Sequence, residues 1–303
     1  MAFDQNIKFK CIVNKLANFY FFVQNLSEWH PTNSKDYNIF WRAEIGSFSS
    51  KEEKAIKQFR KFISKYPFGL SYVDSPFFLK KNTWAVLKKS LPKEDFITIK
   101  NIFSELEDKF NLLWEKDRLL LIRWQKLLDD KLNDVVLIKP IIKILKILFK
   151  TQPSSSLIKV FLLLSSPNRS GGRASPINEE HIGLEISRQP IERLNDIMGV
   201  VWHETIHSCF QNHYFLPLIT KYFYDQETIY LIEEATLDAL FPYGILGNRF
   251  LKNKIAYKFR DPITPKQTIK ILNLMKEYID SKKSLNERYL RKLAKILKKK
   301  TGV

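Results

Sequence analysis

The sequence predicts an α+β chain that is predominantly helical, with a small sheet placed ahead of one buried helix. Three observations carry that reading. Long stretches repeat apolar residues every three or four positions, as in Ile99, Ile102, Phe103, Leu106, Phe110, Leu113 and Trp114, the stripe of a helix that faces a core. Two short runs rich in aliphatic and β-branched residues, 156–165 and 180–187, have the length and composition of buried strands. The stretch LNDIMGVVWHETIHSC, residues 194–209, contains no proline and one glycine, and Glu204 is the only charge after Val200. In a chain otherwise full of lysine, such a segment is a helix enclosed by protein.

Taken in order, residues 52–66, 93–130 and 135–149 are expected as helices of an N-terminal helical region, 1–150. The text Pro92-Lys93-Glu94-Asp95 behind Ser90 suits a helix start, and Pro140 is expected near the first turn of the helix that follows. The run TQPSSS at 151–156 marks the boundary with a second region, 151–303, which holds the strands. Between the two strands, PNRSGGRASP reads as a polar loop. Beyond Gly247 the pattern is helical again, with Thr264-Pro265 opening a helix over 266–281 and Ser284 preceding a last one. Two strands make a meagre sheet, so further strands are sought in 39–45 and 68–73.

The chemistry concentrates in His203-Glu204-Thr205-Ile206-His207. Residues four apart on a helix lie above one another, so both imidazoles can reach one metal ion while Glu204 projects toward a water beside it. This is the skeleton of a zinc hydrolase. A catalytic zinc needs a third protein ligand, and the sequence offers two sources. One is the helical run LIEEATLDAL at 231–240, where Glu234 and Asp238 share a face; one can bind metal while the other accepts the free ring N–H of a histidine. The other is His213, which completes HETIHSCFQNH as a three-histidine spacing. That alternative needs a sharp turn after His207, usually made by a glycine, where this chain has Phe210. The helix is therefore expected to run on and carry His213 away, which keeps it as a reserve ligand. Cys209 is expected on a different helix face, in an apolar setting.

The pair HETIH and EEATLD resembles the gluzincin group of zinc metallopeptidases, with their HExxH and Glu-x-x-x-Asp helices, over about 40 residues. The resemblance implies a zincin-like fold, Zn2+ held by His203, His207 and Glu234, Glu204 as general base, and Asp238 as the partner that orients His203. It also implies a strand at the sheet edge that pairs with extended peptide, here the 172–175 region or the strand after it. Metzincins resemble the first helix too, but Phe210 replaces their glycine, and Met275 lies in a helical pattern rather than their methionine turn. The glycine-rich exopeptidase motif of membrane-alanyl-aminopeptidase relatives is absent, GGRAS standing there instead. A second electrophile for the developing oxyanion is sought in Tyr243 and Arg249, with His213 and Tyr214 as alternatives.

Composition bounds the rest. A chain of 303 residues, 45% hydrophobic with 23 Phe and 6 Trp, has enough apolar mass for a substantial core. The net charge of +18 is scattered along helices without a nucleic-acid reader motif, so no nucleic-acid partner is expected. The one dense basic cluster, RKLAKILKKK at 291–300, reads as an amphipathic helix able to meet an acidic surface or a membrane. Two cysteines, interrupted apolar stretches and a lysine-broken N-terminus lead to the expectation of a cytoplasmic protein without a transmembrane segment or signal peptide. The expected function is hydrolysis of peptide or unfolded-protein substrates by an endopeptidase or oligopeptidase. Alternatives are a metal-containing binding module without activity, and a basic protein that binds nucleic acid or membrane surfaces.

Overall fold

The computed structural model describes residues 7–29, 35–66, 75–174 and 181–298. It is mostly helical around one small mixed sheet, an α+β arrangement. Strand β1 (Lys8–Ile12) leads into seven helices: α1 (Lys15–Ser27), α2 (Lys35–Ile45), α3 (Ser50–Ser64), α4 (Ser75–Leu79), α5 (Thr83–Ser90), α6 (Lys93–Leu132) and α7 (Val135–Leu148). Strands β2 (Leu157–Leu163), β3 (Gly171–Ala174) and β4 (His181–Glu185) follow, then α8 (Leu194–Cys209), α9 (Phe215–Tyr222) and α10 (Gln226–Asp238). The chain closes with α11 (Ile245–Leu251), α12 (Pro265–Asp280) and α13 (Glu287–Leu297).

The strand order is β1-β2-β4-β3, with β1, β2 and β4 parallel and β3 antiparallel at one edge. All five residues of β4 are buried, as befits a strand covered on both faces. Because β1 pairs with β2 in register Phe9 to Ile158, the sheet crosses the 150/151 division, and the two regions share one sheet. In the short strand KFKCI, exposed Lys8 and Lys10 alternate with buried Phe9 and Cys11, the period-two pattern of a half-buried strand.

The outer edge of β1 is closed by side chains of the long helix α6. Asn133 accepts from the Phe9 amide and donates to the Phe9 carbonyl, both at 2.9 Å. Asp129 accepts from the Cys11 amide and Gln125 donates to the Cys11 carbonyl, both at 2.8 Å. Residues 125, 129 and 133 are spaced four apart, the first two on α6 and the third its C-cap, so one face of the helix end imitates a neighbouring strand. The sheet's remaining edge is β3, and α8 packs against β3 and β4.

Several expected elements take a different form. The stretch 39–45 belongs to helix α2, whose buried Tyr37, Trp41 and Ile45 lie four residues apart. Residues 68–73 lie outside the described residues. Pro140, by contrast, falls close behind the first turn of α7, near where it was expected, the helix beginning after the Asp134 cap. The glycine-rich text GGRA is strand β3 rather than loop, its low intrinsic strand propensity overridden by pairing with β4. Thr264 caps α12 in a capping box with Gln267, and Asn286 caps α13. The apolar side of the basic last helix, Leu290, Leu293 and Leu297, is buried in the protein's own core, and α13 packs on α12 and α10. Its apolar face is therefore not available to a membrane; residues 299–303 lie outside the described set. No helix among the described residues is long and apolar enough to cross a membrane.

Candidate metal centre

Helix α8 is buried nearly all round because it carries apolar residues on every side, and Trp202 anchors it. The Trp202 ring meets Phe9 of β1 edge-on at 5.2 Å and stacks on Phe241 at 6.0 Å. On the same helix His203 and His207 project together, ring centroids 5.0 Å apart. Helix α10, capped where Asp225 accepts from the Thr228 amide at 2.7 Å, delivers Glu234 opposite them. Glu234 is 6% exposed, whereas Glu227 earlier on the helix is exposed, so Glu234 does not belong to a solvated stripe.

Three ligand atoms converge. His203 Nε2 lies 3.2 Å from His207 Nε2, and the Glu234 carboxylate oxygens lie 3.4 Å from each of these nitrogens. A tetrahedral ion with bonds of about 2.0–2.1 Å separates neighbouring ligand atoms by roughly 3.3–3.4 Å, so the spacing matches one ion's coordination edge. The partners of the far ring nitrogens favour one tautomer. His203 Nδ1 faces the Phe241 carbonyl at 3.1 Å, and His207 Nδ1 faces the Glu233 carboxylate at 2.9 Å. The Phe241 carbonyl and the Glu233 carboxylate only accept, so hydrogen on each Nδ1 satisfies them, and in such neutral rings each Nε2 turns a lone pair inward; Gln211 Nε2, 3.0 Å from His207 Nδ1, has Glu233 Oε1 as its nearer acceptor at 2.6 Å. Two lone pairs and a carboxylate aimed at one point repel each other unless positive charge lies among them. In the absence of a cation, protons take that role. At His207, burial opposes the charged ring but the Glu233 and Glu234 carboxylates outweigh it, raising its pKa to about 10. His203 is raised as well, burial again being outweighed by Glu234. For Glu234, burial would raise the pKa, but the two histidines pull it well below the usual carboxylate range. Among the described residues, His203, His207 and Glu234 form a buried set that can hold a metal ion.

The surrounding residues revise several expectations. Asp238 Oδ1 is 3.7 Å from His203 Nδ1, beyond hydrogen-bond distance, and the Phe241 carbonyl orients that ring instead. Asp238 is held by Arg260, whose Nε and Nη2 donate to its two oxygens at 3.0 and 3.2 Å. Arg260 Nη2 also comes within 2.8 Å of Glu234 Oε2 without forming a hydrogen bond, so that oxygen remains a buried acceptor without a hydrogen-bond partner. Arg249 lies away from the cleft, exposed and facing Asp280 at 3.4 Å. Helix α8 does not run on; it stops at Cys209, and His213 is exposed on the turn that follows, outside the ligand set. Phe210 makes that stop with φ −120°, without the left-handed backbone a glycine would supply. Tyr214 has Lys150 Nζ 5.7 Å from its ring and does not line the cleft. Cys209 is buried and unbridged.

A cleft of about 590 Å³ opens over the three ligands, lined by Glu204, Gly172 of β3, Tyr230, Tyr243 and Arg260 among others. Glu204 lies directly against the edge strand. A methyl group added at Gly172 would sit 2.5 Å from Glu204 Cγ and 2.7 Å from its Oε1. Gly199 performs the same service on the other side of α8, where an added carbon would come within 2.7 Å of Pro242. That close approach lets the Phe241-Pro242 turn press on the helix and bring the Phe241 carbonyl to His203.

Four groups escape the sequence reading. The Phe241 carbonyl is backbone and carries no residue signal. Glu233 was readable only as the neighbour of Glu234, and Gln211 supports it by donating to its Oε1 at 2.6 Å. Arg260 arrives from a loop between α11 and α12, with no periodicity to place it. Tyr230 stands one turn before Glu234 on α10, a spacing the sequence contained. Comparison of the chain with protein-family models, with curated proteins and with solved structures returned no match in any of the three.

Proposed function

We propose that this chain is a zinc-dependent peptidase of gluzincin type, with a zincin-like fold, that cleaves internal bonds of peptides or unfolded protein. The observation that carries this reading is the inward convergence of His203 Nε2, His207 Nε2 and Glu234 at 3.2–3.4 Å, with both far ring nitrogens held by acceptors. Two histidines and one carboxylate form the ligand set of hydrolytic zinc sites that keep a coordination position open. Bound there, the ion would supply Lewis-acid polarisation of a carbonyl and a water acidified toward neutral pH.

The chain's own groups do the remaining work. Glu204, which lines the cleft, would take a proton from the attacking water and return it to the leaving nitrogen. Strand β3 lies beside it with one edge paired to β4, and its other edge suits a peptide bound in extended form by main-chain hydrogen bonds. Tyr230 is the donor best suited to a developing oxyanion. Its oxygen accepts from Arg260 Nη1 at 3.2 Å, and burial raises its pKa, so the hydroxyl keeps a proton to give. Tyr243 lines the cleft too, but its hydroxyl is engaged with Arg193 and Asp196.

The test is Glu204→Gln assayed on a mixed fluorogenic peptide library with zinc content measured alongside. Turnover is expected to fall by about 10²–10⁴-fold with the ion retained, the usual worth of a general base. A zinc-loaded wild-type protein that cleaves no peptide would leave the metal-containing binding module as the correct description.

A further inference from the structure

The lining of the cleft carries charge that the peptidase reading alone does not use. Three cations face it, Arg169, Lys258 and Arg260, against three carboxylates, Glu204, Glu234 and Asp238. Of the cations, Arg260 is committed, locked on both oxygens of Asp238 and close to Glu234. The other two are not. Among the described residues Lys258 pairs with Asp261 alone, at 3.4 Å, with side chains 60% and 88% exposed, a pair worth little. Arg169 has no carboxylate partner among the described residues; its guanidinium lies 5.9 Å from the Tyr37 ring centroid.

The backbone of Arg169 is nonetheless fixed. Its amide donates to the Ser166 carbonyl at 3.3 Å, and its own carbonyl accepts from Gln189 Nε2 at 2.9 Å. A held backbone bearing an uncommitted cation is the arrangement of a recognition residue rather than a structural one. Arg169 stands just ahead of β3, within about three residues of Gly172, a reach of roughly 10 Å at strand spacing. It also borders a second, polar pocket of about 390 Å³, lined besides by Asn168, Ser170, Arg193 and Asp36.

We propose that the cleft selects peptides that place a carboxylate within about three residues of the scissile bond, bound by Arg169 and Lys258. This rests on the peptidase reading for the chemistry, but the recognition itself can be tested without turnover. The guanidinium offers a two-pronged donor to the carboxylate and the ammonium a point charge, so a glutamine or amide in its place loses the ion pair while keeping the shape.

The experiment uses the full chain loaded with zinc and matched peptides of one length. One set carries Glu or Gln at each of three positions on either side of the cleaved bond; the other ends in a free carboxylate or an amide. Cleavage efficiency and fluorescence-anisotropy binding are measured for wild type, Arg169→Gln, Arg169→Lys and Lys258→Gln. The acidic member of a pair is expected to be favoured by about tenfold, with the advantage steepest at low salt. Arg169→Gln and Lys258→Gln should each shrink that ratio, and Arg169→Lys should restore part of it. Preference in the Glu set identifies a side-chain carboxylate; preference in the second set identifies the C-terminal one. Equal binding of acidic and neutral peptides, or a preference that both glutamine variants retain, overturns the proposal. If no peptide is cleaved, the peptidase reading falls, and the binding ratio still decides whether carboxylates are recognised.

Discussion

Gly172 is small because Glu204 is next to it. A single added carbon there would meet Glu204 Cγ at 2.5 Å and Val200 Cγ1 at 2.8 Å, so either the strand or the carboxylate must move. Gly172→Ala is therefore expected to lower turnover by about 10–100-fold through misplacement of Glu204, with zinc content retained; parallel assay and metal analysis check it, and unchanged turnover would contradict it. Protons and metal compete for the same nitrogens at this scale. His207 has its pKa raised from 6.5 to about 10 in the cation-free protein. The sign follows: its charged form adds stability that is fully present below about pH 6.5 and is lost as pH rises through about 10. Zinc must displace that proton, so binding at pH 8 should release at least one proton per ion, and affinity should climb with pH. Calorimetry in buffers of different ionisation enthalpy reads the count, and proton-neutral binding at pH 8 would contradict the assignment. The histidine pair was legible because both rings sit on one helix, where spacing alone sets their geometry. The partners that orient them were not, since the Phe241 carbonyl and Arg260 reach the site only through tertiary folding.

Among the elements, the sheet has one sealed edge and one beside the cleft. Helix α6 seals β1 through Gln125, Asp129 and Asn133, and Asn133 alone holds both polar groups of Phe9. Asn133→Ala should cost roughly 1–3 kcal/mol in urea denaturation by leaving the Phe9 groups unpaired, without altering zinc stoichiometry. A cost near zero would mean that β1 does not need the helix. The same elements show where pattern reading succeeds and where it stops. The long helix α6 was legible because its apolar stripe repeats for many turns, and the start of α12 because Thr264 acts locally. Strand β1 was passed over although KFKCI alternates, its lysines masking a five-residue signal. Strand β3 was read as loop for a physical reason: glycine disfavours strands in isolation, yet only glycine admits Glu204 at this edge.

In the molecule as a whole, the three candidate ligands bridge α8 and α10, two helices separated in the chain by α9 and packed against each other. An ion held by both favours the folded chain over the unfolded one, which ties metal occupancy to the integrity of the C-terminal half. The net charge of +18 does not mark a separate basic domain; in the last helix, where it is densest, the apolar side belongs to the core and part of the charge is paired, Lys292 with Glu277 and Arg291 with Glu287. The division expected at residue 150 likewise gives way to a shared sheet, because β1 pairs with β2 across it, a long-range contact that no local signal announces. The central claim is coordination, and metal analysis of the protein purified without added metal tests it most directly. The account predicts about one zinc per chain in wild type and in His213→Ala, with loss in His203→Ala, His207→Ala and Glu234→Ala. A wild-type protein without metal that also fails to take up zinc, or a Glu234→Ala protein that keeps its full complement, would contradict it.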